Sequence, residues 1–125
     1  MRSLFRKLTE PAYALMRIAF GVLFAFHGAQ KLFGAFGGSQ ADSGLMWVAG
    51  TVEFVGGVAI AVGLFTNLAA LLACGQMFTG YFWKHQPNAL FPIENRGELA
   101  LLYAFAFLFI LTRGAGIWSV DKNNS

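Results

Sequence analysis

The chain has 125 residues, 57% hydrophobic and 12% charged, with a formal net charge of +3 and 14 phenylalanines. A soluble domain is nearer half apolar and a quarter charged, so this balance points to lipid as the main solvent, with the bilayer standing in for a large core. The nine Lys and Arg are scattered with no basic stripe, which excludes a nucleic-acid partner, and the single Cys74 excludes an internal disulfide and a thiolate metal centre.

The N-terminus, MRSLFRKLTEPAYALMRIAFGVLFAF, shares the basic start and apolar stretch of a signal peptide. Arg17 interrupts that stretch and no small-x-small site follows it, so an uncleaved first spanning helix is expected. Spanning helices need about 20 mostly apolar residues, and four segments come close: 11 to 33, 46 to 65, 68 to 84 and 97 to 113. The expected fold is therefore all-α, an integral membrane four-helix bundle forming one domain over residues 1–125.

The first connection, GAFGGSQADSG at 34 to 44, reads as a Gly, Ser and Asp loop. The second, Thr66 and Asn67, is so short that the flanking helices must form an antiparallel hairpin. The third, KHQPNALFPIENRG, holds two of the three prolines and cannot continue as helix. It also carries Leu90, Phe91 and Ile93, which are expected on the membrane surface or dipping into the bundle mouth.

Orientation follows from the positive-inside rule. The termini hold Arg2, Arg6, Lys7, Arg113 and Lys122, against Lys31, Lys84 and Arg96 in the first and third loops; five against three puts both termini in the cytoplasm. A multi-pass protein of a bacterial-type cytoplasmic (inner) membrane is expected. Trp47 and Trp83 then fall in the outer aromatic belt and Trp118 in the inner one. Gly50, Gly56, Gly57 and Gly63 make the second span the most crowded helix, because small residues let backbones approach in lipid.

The polar groups of the spans gather toward the outer end. His27 lies six residues, about 9 Å, below the end of helix one at Phe33, and Glu53 about 12 Å below the start of helix two, so the two share a depth. Lys31 follows His27 by one turn on the same face. His85 ends helix three, and Asn95, Arg96 and Glu98 begin helix four. Glu53 is the functional-site hypothesis by default, since a carboxylate inside a span must be protonated, paired or facing water; its bland alternative is a hydrogen bond tying two helices. His27 can handle a proton or ligate haem iron, or serve as a structural partner. Lys31 alone reads as an interface anchor, Gln76 as an interhelical hydrogen bond, Glu98 as a carboxylate at the positive end of helix four and Arg17 as a snorkelling anchor of the inner half.

The stretches RIAFGVLFAFHGAQKLFG, VEFVGGVAIAVGLFTNLAAL, ENRGELALLYAFAFL and GAGIWSVDK together resemble the DoxX family of small four-helix membrane proteins, from about Tyr13 to Lys122. The family's H-G-x-x-K-L pattern falls on His27, Gly28, Lys31 and Leu32, and its membrane Glu with following glycines on Glu53, Gly56 and Gly57. Its N-G-G-E pattern falls on Asn95, Gly97 and Glu98, with Arg96 where the first glycine is usual. The terminal G-x-G-x-x-S-x-D falls on Gly114, Gly116, Ser119 and Asp121 and looks like a stop for helix four.

Members and relatives of this family are associated with membrane redox systems, including the membrane part of thiosulfate:quinone oxidoreductase, and many have no assigned activity. The resemblance implies a subunit or partner of such a system. The expected ligand is a quinone or similar lipophilic ring, with His27, Glu53 and Glu98 as proton-handling catalytic groups and His27, Lys31, Glu53, His85, Asn95 and Arg96 around the cofactor. Haem held by His27 and His85 is a variant. With one Cys and no GxGxxG, an electron-donating partner protein is needed. The competing expectation is a non-catalytic accessory subunit of a larger complex, with the polar cluster as glue. A homo-oligomer or larger assembly is expected, because four short helices bury little protein surface.

Overall fold

The computed structural model describes residues 2–35, 37 and 43–121, with the Arg2 side chain left aside. Most of the expected first loop, and Lys122, lie outside the described residues. Among these residues the elements, all helical, are α1 (Arg2–Lys7), α2 (Thr9–Phe33), α3 (Gly44–Val62), α4 (Thr66–Gly80), a π turn (Tyr81–His85), a 3-10 turn (Gln86–Asn88), α5 (Pro92–Asn95) and α6 (Glu98–Arg113). The expected spans match α2, α3, α4 with its π turn, and α6. Only α2 and α3 are long and apolar enough to cross a bilayer by themselves. Through the π turn α4 extends to His85, whereas the 16 residues of α6 reach about 24 Å. Outward faces are apolar along all four, as at Leu23, Val55, Leu71 and Phe105, which suits a lipid solvent.

The chain makes the bundle by packing α2 on α3, α3 on α4 and α4 on α6. The α2 and α3 backbones nearly touch. A Cβ added at Gly57 would come 2.5 Å from the Ala25 nitrogen, and one at Gly28 would come 2.3 Å from the Phe54 nitrogen. Gly21 meets the facing backbone in the same way, Gly50 meets the Lys31 and Leu32 side chains, and Gly56 faces open space. The crowding expected of the second span is thus real, and its partner is the first. Phe24, Tyr103, Phe107, Ile60 and Ala73 fill the centre, with Phe24 and Phe107 ring centroids 4.8 Å apart.

The hairpin between α3 and α4 lies three residues earlier than expected. Gly63, at φ 73°, ends α3 in the left-handed conformation that favours glycine, and Thr66 already begins α4. No side chain of its own caps the start of α4. Asp121 does so from the far end of the chain, accepting hydrogen bonds from the amides of Phe65 at 2.8 Å and Thr66 at 2.9 Å. Burial alone would raise the Asp121 pKa, but these amides and the nearby Arg17 charge hold it below the usual carboxylate range.

Arg17 corrects another expectation. Instead of snorkelling it is wholly buried, and its guanidinium donates to the carbonyls of Ile60, Ala61, Ala115, Ile117 and Trp118. Its five N–H donors are thereby matched by oxygens at the end of α3 and in the segment after α6. The Gly114 to Asp121 pattern is therefore more than a helix stop: it wraps the arginine and then caps α4. Tyr13 donates to the Gly114 carbonyl at 2.6 Å, and Arg113 pairs with Glu10, so both ends of the chain share one face of the bundle.

Gly28→Ala is expected to destabilise the protein by about 1–3 kcal/mol, as overpacking does. Gly75→Ala, where an added Cβ meets nothing within 4 Å, is expected to be neutral or stabilising. Thermal unfolding of both variants in one detergent checks the contrast, and equal effects would contradict the close α2–α3 contact.

Candidate functional site

At the end of the bundle opposite the termini, α2 delivers His27 and Lys31, α3 delivers Glu53 and α4 delivers Gln76. Glu53 is 3% exposed, and both of its oxygens are occupied: Oε1 accepts from Lys31 Nζ at 2.8 Å and Oε2 from Gln76 Nε2 at 2.7 Å. Gln76 Nε2 also reaches the Ala49 carbonyl at 3.3 Å. Lys31 is thus an inward-turned counter-ion, not a headgroup anchor alone. An unpaired carboxylate at this depth costs several kcal/mol, so the three side chains specify how α2, α3 and α4 align.

Two cavities flank this cluster, of about 350 and 210 Å³, and share Lys31, Glu53, Met77, His85 and Ala100 in their walls. They are lobes of one crevice. The larger opens between α3 and α4, beside Met46, Ala49 and Trp83. The smaller lies between α2 and α6, against Phe24, His27, Arg96 and Tyr103. The His27 ring meets Tyr103 edge-on at 5.8 Å between centroids and makes no hydrogen bond to any described residue. Neither ring nitrogen is fully buried, and the residue lines the smaller lobe.

The third connection shapes the mouth. Asn95, 3% exposed, donates to Tyr81 Oη at 3.0 Å and to the Ala89 carbonyl at 3.1 Å, and accepts from the Gly97 amide at 2.8 Å. Its side chain is used up holding the loop. Leu90, Phe91 and Ile93 stay exposed, and Asn95 is the residue that enters the bundle. His85, carried by the π turn, sits with Nδ1 3.1 Å from the Asn95 carbonyl and lines both lobes. Such turns often mark functional segments. Arg96 lines the smaller lobe at φ 63°, which explains why glycine is usual at that position.

Glu98 stands apart. It is exposed in the first turn of α6, beside Pro92, Leu101 and Phe105, and lines neither lobe. Its place suits the helix dipole better than the cluster. Tyr103 and Met77 were not singled out from sequence, and Trp83 was expected only as part of the outer aromatic belt. The only signal was a lone hydroxyl in LLYAFAF; the others look like ordinary lining of apolar helices.

The family model for DoxX matches residues 12–86. An uncharacterized protein of Haemophilus influenzae is 38% identical, the match covering 87% of each chain. No solved structure matches.

Lys31→Met is expected to cost about 3–5 kcal/mol, because it strands the Glu53 carboxylate, and Lys31→Met/Glu53→Gln to recover much of that loss. Thermal unfolding of the wild type, both single variants and the double variant measures the coupling. Additive losses would show that the two groups do not form a pair.

Proposed function

Since the chain belongs to the DoxX family of membrane proteins, we propose that it serves a membrane redox system by holding a quinone-type ring in the smaller lobe. The observation that carries this reading is His27: an imidazole edge-on to Tyr103, without a hydrogen bond to any described residue, lining a cavity with Lys31 and Arg96. Phe24 and Tyr103 offer the aromatic walls a flat ring packs against. A bound quinone supplies two-electron, two-proton chemistry. His27 is placed to hold and deliver a proton at a ring oxygen, and Lys31 and Arg96 to stabilise negative charge developing there. Glu53, tied to Lys31 and Gln76, positions the lysine. The electrons come from a partner protein, and the site belongs to a larger assembly in a bacterial cytoplasmic membrane.

One observation favours the accessory reading as well: the two Glu53 oxygens are both occupied by protein donors, as in a purely structural tie. Under that reading His27→Ala and Glu53→Gln reduce yield and thermal stability and change no ligand signal.

A short-chain quinone titrated into the protein in nanodiscs is expected to quench tryptophan fluorescence saturably, through Trp83 beside the crevice. His27→Ala and Lys31→Met should weaken that binding about tenfold, roughly the loss of one charge-assisted contact. Linear quenching identical in all three proteins would overturn the proposal. A Soret band in the purified protein would reassign His27 and His85 to haem.

A further inference from the structure

We propose that the larger lobe is a binding site for an anionic phospholipid, its phosphate held at Lys84 and one acyl chain laid along α4 at Gly75 and Gly80. The charge count of the lobe carries this. Lys31, Lys84 and His85 line it, and its single carboxylate, Glu53, is already neutralised by Lys31. The Lys84 ammonium lies 3.3 Å from Met46 Sδ, a weak acceptor, and pairs with no carboxylate among the described residues. An apolar chamber of about 350 Å³ thus carries at its exposed rim a cation with no carboxylate partner among the described residues. At the mouth of an apolar site such a charge attracts an anion.

The walls specify the rest of the ligand. Leu45, Met46, Ala49 and Trp83 make the lobe apolar on the α3 and π-turn sides. Gly75 and Gly80 line it on α4, five residues or about 7.5 Å apart along the helix, and a Cβ at either would meet nothing within 4 Å. Neither glycine puts a side chain into the lobe, and that open space is the channel assigned to the acyl chain. A free phosphate would satisfy Lys84 and leave that channel unused, whereas a phospholipid fills both. This site lies across the Lys31–Glu53 pair from the ring site proposed above and does not depend on it, although the two share Lys31.

Native mass spectrometry of the delipidated full chain, with phosphatidylglycerol or phosphatidylcholine of identical chains, tests the assignment. The wild type is expected to bind phosphatidylglycerol about tenfold more tightly, in line with a charge-assisted contact. Lys84→Met should erase the preference. Gly80→Leu, which fills the channel without meeting backbone, should weaken both lipids while leaving the melting temperature in place. Equal binding of the two lipids by the wild type, or an intact preference in Lys84→Met, would overturn the proposal. So would competition by inorganic phosphate as effective as that by phosphatidylglycerol, which would mark a site for free anions.

Discussion

The near contact of the α2 and α3 backbones sets the register from which the rest of the bundle follows. Gly21 and Gly28 on one helix and Gly57 on the other leave no room for side chains between the backbones, and Gly50 makes room for the Lys31 and Leu32 side chains. In lipid, where no hydrophobic force drives helices together, such close packing is a main source of association. It also aligns two polar pairs that cross the same seam. Near the chain ends Arg17 meets the Ile60 and Ala61 carbonyls, and near the opposite end Lys31 meets Glu53. A shift of one helical turn would break both.

These two polar groups meet the same constraint differently. A charge or backbone dipole inside a bilayer must find its partner within the protein. Arg17 is saturated by carbonyls, in a knot that also holds the segment after α6, and Asp121 then caps α4. That end is sealed. The Lys31–Glu53–Gln76 cluster is satisfied too, but the helices around it leave two lobes open, with the His27 ring facing one and the Lys84 ammonium in the other. One end is thus tied together by Arg17 and Asp121, while the other places its polar side chains beside two cavities, which is why the functional reading belongs to the latter.

The four long helices were legible from runs of apolar residues, although only α2 and α3 reach the length and hydropathy that a bilayer crossing demands. The shared depth of His27 and Glu53 was legible from helical rise, and both line the smaller lobe. What one helix cannot reveal is where a long side chain turns. Arg17 reads as a snorkeller until the end of α3 supplies two carbonyls and the returning segment three more, and Lys31 reads as an anchor until α3 brings Glu53 to 2.8 Å. The hairpin was placed late because Gly63, which ends α3, looked like one more packing glycine. Glu98 was drawn into the cluster by its neighbours in sequence, whereas the rotation of α6 turns it outward. Asn95 looked like a ligand-facing amide and instead spends its hydrogen bonds on the loop.

Family membership and geometry describe a membrane protein with a cation-lined recess, and the proposed function fills that recess with a lipophilic ligand. An experimental map of the protein taken from native membrane, read beside His27, Lys31 and Tyr103, tests this most directly. The account predicts planar density in the smaller lobe, with an oxygen within hydrogen-bond reach of His27 or Lys31, and the Lys31–Glu53–Gln76 cluster intact beside it. A recess closed by direct contact of α2 with α6, or filled by side chains of a neighbouring subunit, would contradict it.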